Sequence, residues 1–318
     1  MQIDYKQAAE IIKSCDDVHI LTHQSPDGDT LGSGYALYFA LRQLGKRAAV
    51  ICPDGATQRY AFIGEGYTEE SFEAKTVIAV DVADPALLGS VRECYENRVD
   101  LCIDHHVSNV MYAKKTLLNG NAAANCEIMY RLFEELGIKT DNDIARCLYT
   151  GIATDTGCFK YGNTTADTHR IAAELIGYDI DFARINREMF DIKSRERIRL
   201  EQHILNNMEV HFGERCGVLC VTDSFRSELG VADEELDGIA GLPLQIQGME
   251  IAVTLKEKST GGFKVSMRSA GRVNVSAICQ QLGGGGHINA AGCFIKADLD
   301  ETKRRVLELA GKALGELN

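Results

Sequence analysis

Residues 18–33 read VHILTHQSPDGDTLGS. Val18 to Thr22 is a short apolar run bearing one histidine, long enough for a buried strand. His23 to Asp29 follows as a polar turn, with Pro26 and Gly28 as chain breakers. From Thr30 to Leu44 the pattern is helical and stops at Gly45. Strand, polar turn and helix follow in immediate succession. The pattern repeats in weaker form along the first half of the chain. Arg47 to Cys52, Thr76 to Val80 and Val99 to Ile103 read as further strands. Pro85 to Asn97, Ala122 to Leu136 and Asp143 to Thr154 read as helices. Strands alternating with helices predict an α/β fold, a parallel sheet with helices on both faces.

Ligands of such a sheet bind outside the carboxyl ends of its strands. The polar turn carries His23, Asp27 and Asp29. Asp81 ends the strand VIAV, and Asp104-His105-His106 ends the strand at 99–103. Asp155 sits in TGIATDTGCF, just past a helix. A single Asp-Gly-Asp is usually a turn, a single strand-end Asp a helix cap, and a single His a surface residue. Three clusters at three strand ends are harder to produce by chance. Mixed carboxylate and imidazole donors suit a divalent metal of Mn²⁺ type. There are more donors than one ion needs, which points to a two-metal hydrolytic centre acting on a phosphate ester. His19, His169, His203 and His211 stand alone and keep the bland reading.

The chain has 318 residues, enough for two ordinary domains. Its eleven cysteines are scattered without a C-x-x-C pair, which favours free thiols in a reducing cytoplasm. The N-terminus lacks a signal-peptide pattern, and no apolar run has membrane-spanning length. The net charge of −12 and the lack of a basic stripe exclude a track for long nucleic acid. The reading leaves open whether the chain forms a homodimer.

From Ala166 to about Asn207 the pattern reads as helical throughout, its charged end forming a linker helix at 191–208. The expected division is then 1–190, the linker, and a smaller α/β domain at 209–318. Strands are expected at Glu209 to Phe212, Cys216 to Val221, Met249 to Glu257 and Gly262 to Arg268. Helices are expected at Asp233 to Ala240, Val275 to Leu282 and Leu299 to Leu317. Within this domain lies GGGGHINAAG, Gly283 to Gly292. Four glycines are most often a linker. This run lies inside a domain, where free backbone N–H groups can cradle an anion. Gly284, Gly285, Gly286 and His287 are therefore candidate phosphate contacts. Arg268, in the strand KVSMRS, can add a bidentate grip.

HQSPDGDTLGS at 23–33, VDVAD at 80–84, DHH at 104–106 and TDTG at 154–157, in this order and spacing, resemble the DHH phosphoesterases. GGGGH with a downstream AAG resembles the associated domain of the family's nuclease and nucleotide-phosphatase branch. Together the two cover nearly the whole chain. The resemblance implies two Mn²⁺ ions, with Mg²⁺ or Co²⁺ as substitutes. One ion would take His23, Asp27 and Asp81; the other Asp29, Asp81, His105 and Asp155, with Asp81 bridging. Asp81, Asp104 and His106 would be the catalytic group, with Asp104 orienting an imidazole and His106 facing the phosphate or the leaving group. In CFKYGNTT, Lys160 stands where Arg is expected as often, so a bidentate contact there is not implied. The branch also implies the substrates: RNA of roughly two to five nucleotides, and the 3′-phosphate of 3′-phosphoadenosine-5′-phosphate. A phosphodiesterase of cyclic di-AMP or linear dinucleotides would use the same two domains. A non-catalytic nucleotide sensor should lack a ligand, and every expected ligand is present.

Overall fold

The computed structural model describes residues 1–231, 236 and 238–315. The chain forms two compact units, Met1–Ile192 and Lys193–Asn318.

The first unit holds five strands: β1 (Val18–Leu21), β2 (Ala48–Ile51), β3 (Thr76–Val80), β4 (Leu101–Asp104) and β5 (Lys115–Leu118). All pair in parallel, in the order β2-β1-β3-β4-β5. Alternate residues of each strand enter the cores on opposite faces. Ile78 and Val80 join one, Val77 and Ala79 the other. Burial on both faces explains why these strands read as short continuous apolar runs. β5 was not expected from sequence: KTLL is a four-residue edge strand with a lysine at its start.

The strand order reverses direction at β1 and β3. A topological switch point therefore opens at their carboxyl ends, the place where doubly wound sheets bind ligands. His23 follows β1 and Asp81 follows β3.

The helix Gly28–Gln43 starts two residues earlier than expected, because Asp27 caps it. The Asp27 carboxylate accepts the N–H groups of Asp29 and Thr30 at 3.0 Å. This helix is buried along nearly its whole length and lies against the helix Asn142–Asp155. Small residues allow the approach. A Cβ on Gly28 would lie 2.4 Å from the Thr154 hydroxyl, and one on Gly151 would lie 2.7 Å from an Asp29 carboxylate oxygen. The two helices thereby bring Asp29 and Asp155 together.

Two expected helices are broken. Pro85–Val91 is a 3₁₀ turn, followed by a single α-turn, Arg92–Tyr95. The break falls at Gly89 (φ 52°), where a Cβ would meet the Gln24 side chain at 2.8 Å. The stretch after Ala166 is not one helix. It comprises Ala166–Leu175, Phe182–Asn186 with a π-turn at Arg187–Asp191, and Arg195–Asn206. Asp181 and Ser194 each cap a new start, accepting backbone N–H groups that a continuous helix would have used internally.

The second unit carries a six-stranded mixed sheet, β10-β11-β9-β8-β7-β6. Its strands are β6 (Glu209–His211), β7 (Cys216–Val221), β8 (Ile251–Glu257), β9 (Phe263–Ser269), β10 (Gly285–His287) and β11 (Ala290–Ile295). The helices Val275–Gln281 and Leu299–Gly315 pack on one face. A helix at Asp223–Leu229 was not expected. Half of the helix expected at Asp233 to Ala240 lies outside the described residues, as does the end of the one expected to reach Leu317.

The glycine run is not an open loop. The N–H groups of Gly283 and Gly284 donate to the carbonyls of Gln280 and Cys279, closing the preceding helix. Gly285 to His287 form the edge strand β10. A Cβ on Gly284 would lie 2.1 Å from the Gly292 carbonyl oxygen, which is why this position needs glycine. No described helix is long and apolar enough to cross a membrane.

Candidate metal centre

The structure brings His23, Asp27, Asp29, Asp81, His105, His106 and Asp155 together at the switch point. Their donor atoms form three overlapping groups, each within 4.8 Å: His23, Asp27 and Asp81; Asp29, His105 and Asp155; Asp81, His105 and His106. Asp81 belongs to two of them. His23 Nε2 lies 3.7 Å from Asp27 and 3.8 Å from Asp81. His105 Nε2 lies 3.4 Å from Asp155, 3.5 Å from Asp81 and 3.9 Å from Asp29.

Local structure fixes each group. Asp81 has φ 60°, a left-handed conformation that is costly for an aspartate and turns its carboxylate over the strand end. Its own N–H remains tied to the Ile103 carbonyl at 2.9 Å. Nδ1 of His23 contacts the Gln24 carbonyl at 2.8 Å, and Nδ1 of His105 the Ala122 carbonyl at 3.2 Å. A carbonyl can only accept, so each Nδ1 carries a proton, which leaves Nε2 as the ring atom that would face a cation. Asp29 is fully buried. Its two oxygens accept the N–H groups of Asn125 (2.5 Å) and Cys126 (2.9 Å) at the start of the helix Asn125–Leu136.

Asp104 stands apart from the donor groups. Its Oδ1 accepts from His106 Nδ1 at 2.8 Å, and its Oδ2 accepts from Asn109 Nδ2 at 2.5 Å. It is fully buried, while His106 is 43% exposed. The hydrogen bond to Asp104 holds His106 above its usual pKa, against the opposing effect of burial.

Sequence reasoning missed two positioning residues. Asn109 holds the far side of Asp104. Thr30 takes the His23 N–H on its hydroxyl (3.3 Å) and donates to the Val80 carbonyl (3.2 Å), tying the end of β1 to the end of β3. Thr30 is a single polar residue inside a motif read for its charges, and Asn109 follows another by three residues.

The charge balance calls for cations. Burial, then the charges of Asp29, Asp27, Asp155 and Asp104, push Asp81 well above the carboxylate range. Burial with the Asp27 charge also raises Asp29, against the opposing effect of His105. For Asp27, burial is outweighed by its bond to His23, and its pKa falls. Asp81 Oδ1 and His105 Nε2 are buried without a hydrogen-bond partner among the described residues. Buried acceptors without donors, among repelling carboxylates, fit divalent cations.

A stability test follows from Asp155. Burial and the charges of Asp29 and Asp27 push its carboxyl from 3.8 up to about 9. The folded chain then keeps a proton that the unfolded chain has lost. Without cations, this group destabilises the fold progressively as pH rises from about 4 towards about 9. Asp155→Asn should raise Tm in chelator by at least about 2–4 °C near pH 8, with little gain near pH 4. Thermal melts of both proteins across this range check it.

In the second unit, His287 on β10 and Arg268 on β9 both lie opposite Ala290 of β11. Residues opposite one another share a face of the sheet. Arg268 and His287 are therefore on one face, with only an alanine between them. His287 is exposed and Arg268 partly so. The Arg268 Nη1 donates to the Met267 carbonyl at 3.0 Å. Gly284 cannot offer the free N–H group expected of it, since it donates to the preceding helix, as does Gly283.

Residues 17–152 match the DHH family, N-terminal domain, and residues 217–316 match the DHHA1 domain. The chain is 35% identical to the bifunctional oligoribonuclease and PAP phosphatase NrnA of Thermus thermophilus, over 96% of this chain and 93% of the relative. It is 28% identical to a probable manganese-dependent inorganic pyrophosphatase of Streptococcus thermophilus, over 50% of this chain and 54% of the relative. An exopolyphosphatase-related protein of Bacteroides fragilis has the same fold, with TM-score 0.85, 24% identity and coverage of 98% and 95% of the two chains. The chain belongs to the DHH family of phosphoesterases, with a DHHA1 domain after the DHH domain.

Proposed function

We propose that this chain hydrolyses oligoribonucleotides of roughly two to five nucleotides and removes the 3′-phosphate of 3′-phosphoadenosine-5′-phosphate, with two divalent cations, Mn²⁺ foremost. The observation that carries this reading is Asp81, a left-handed aspartate that belongs to two donor groups. His23, Asp27 and Asp81 would hold one cation, and Asp29, Asp81, His105 and Asp155 the other. When bound, the pair supplies a polarised water and neutralises charge developing on the phosphoryl oxygens.

The residues around the cations do the rest. Asp104 and Asn109 fix the His106 ring and favour its protonated form. His106 thus keeps a proton available to the departing ribose oxygen, or donates a hydrogen bond to a phosphoryl oxygen. Asp29 and Thr30 keep the two walls of the site in register. Arg268 and His287, on one face of the second sheet, would grip a substrate phosphate away from the reacting bond. The cradle therefore narrows from the whole glycine run to these side chains and the edge strand Gly285 to His287.

The length preference rests on charge. With −12 overall and no basic stripe, longer strands gain no further phosphate contacts. The kcat/KM should fall steeply from the dinucleotide to a strand of about 24 nucleotides. Arg268→Ala should raise KM for short substrates and leave kcat nearly unchanged, since it removes binding remote from the reacting atoms. Steady-state kinetics on a length series, with cyclic di-AMP alongside, test both. Equal efficiency on the longest strand would favour a processive exonuclease. Preference for cyclic di-AMP would favour a signalling phosphodiesterase.

A further inference from the structure

The chain leaves the Asp155 helix through three consecutive left-handed residues: Gly157 (φ 56°), Cys158 (φ 57°) and Phe159 (φ 64°). Only the first is a glycine. Residues with a Cβ resist this conformation, and consecutive ones persist only where the surroundings impose them. Here the surroundings are specific. The Phe159 ring packs against the domain core, stacked on His169 with centroids 5.3 Å apart and tilted against Tyr149 at 6.2 Å. The buried Thr156 hydroxyl accepts the Phe159 N–H at 3.1 Å. The Thr156 carbonyl accepts the N–H groups of Lys160 (2.9 Å) and Tyr161 (3.0 Å).

The product of this turn is the pose of Tyr161. A Cβ on Gly157 would lie 2.3 to 2.7 Å from three carbons of the Tyr161 ring, so the ring lies directly on the glycine. Yet the residue is 61% exposed. One side of the ring is thus supported and much of the rest faces solvent. Two residues further on, Asn163 Nδ2 donates to the carbonyls of Asp155 (3.1 Å) and Ala123 (3.0 Å), fastening the same loop to the metal centre. The packing of Phe159 accounts for the strained backbone, but not for a broad aromatic ring left in water six residues after Asp155. Its surface suits the π-face of a nucleobase.

We infer that Tyr161 is the platform on which a nucleobase of the substrate stacks, and hence a specificity residue that separates nucleotides from base-free phosphate esters. This rests on the oligonucleotide reading of the site given above. Stacking tolerates every base, which suits degradation of RNA ends of mixed sequence. Phe at this position should serve as well as Tyr. Leu should fill the space on Gly157 without offering a π-face.

The test compares an adenylyl dinucleotide with its analogue lacking both bases, using the full chain with Mn²⁺. Tyr161→Leu should raise KM for the dinucleotide by about ten- to a hundredfold, leave kcat unchanged, and leave the base-free substrate unaffected. Tyr161→Phe should match wild type. The chain contains no tryptophan, so Tyr161→Trp supplies a lone indole fluorophore, excited selectively beyond the tyrosine band. A non-hydrolysable dinucleotide should quench it, and the base-free analogue should not. Unchanged KM in Tyr161→Leu, equal losses on both substrates, or no quenching beside normal cleavage would each overturn the platform. Quenching in a protein whose wild type cleaves no dinucleotide would keep the platform and overturn the proposed reaction instead.

Discussion

Asp81→Ala should lower kcat on a labelled dinucleotide by more than about 10³-fold while leaving the fold intact. The size follows from what the carboxylate does. Among the described residues it is the one aspartate within reach of both His23 and His105, at 3.8 and 3.5 Å. It is held in a left-handed conformation that the strand end imposes at a cost. Its removal disconnects the two halves of the donor set. Loss of even one preorganised electrostatic contact typically costs about 10²–10³-fold, and here the shared contact of two cations is lost. The fold should survive because the side chain makes no hydrogen bond that packing depends on. Its Oδ1 is buried without a donor among the described residues, and its charge is opposed by four neighbouring carboxylates. In chelator the variant should be at least as stable as wild type. Near-normal turnover with metal bound would remove the two-metal reading.

The second large effect separates the adjacent histidines. His105→Ala should lower metal occupancy, whereas His106→Ala should keep the metals and lose about 10²–10⁴-fold in kcat, the usual worth of a positioned acid. The geometry sets them apart. His105 is mostly buried, with Nδ1 engaged by a backbone carbonyl and Nε2 facing three carboxylates. His106 is half-exposed, with Nδ1 engaged by Asp104, which leaves Nε2 as its outward atom. Asp104→Asn should follow His106→Ala: metals retained, kcat reduced. An asparagine can leave the ring in the wrong tautomer and no longer holds its pKa up. Elemental analysis beside kinetics on the three variants decides it. Equal metal loss in both histidine variants would show that the roles are not divided this way.

Most metal-type residues were legible because their clusters follow the ends of apolar runs, and a parallel sheet collects strand ends on one rim; Asp155, at a helix end, was legible only beside them. That Asp81 and His23 face each other follows from strand order, which the sequence does not state. The supporting residues were less legible. Thr30 and Asn109 act through a carbonyl and a buried carboxylate, partners that are distant or ambiguous in sequence. Gly28 and Gly151 read as turn and helix residues, while their use is close approach between two helices. The glycine run shows the opposite error. Its composition suggested exposed N–H groups, yet helix closure and strand pairing consume several of them. The unbroken helical reading after Ala166 failed because Asp181 and Ser194 look like ordinary polar residues until they cap new helices.

The most direct test of the account is metal stoichiometry measured together with turnover. The protein is stripped with chelator, titrated with Mn²⁺, and assayed on a labelled dinucleotide at each bound ratio. The account predicts no turnover in the stripped protein, and full turnover only when two Mn²⁺ are bound per chain. It also predicts that Asp81→Ala recovers none at any ratio. Turnover in the stripped protein, or full turnover at one bound ion, would contradict it.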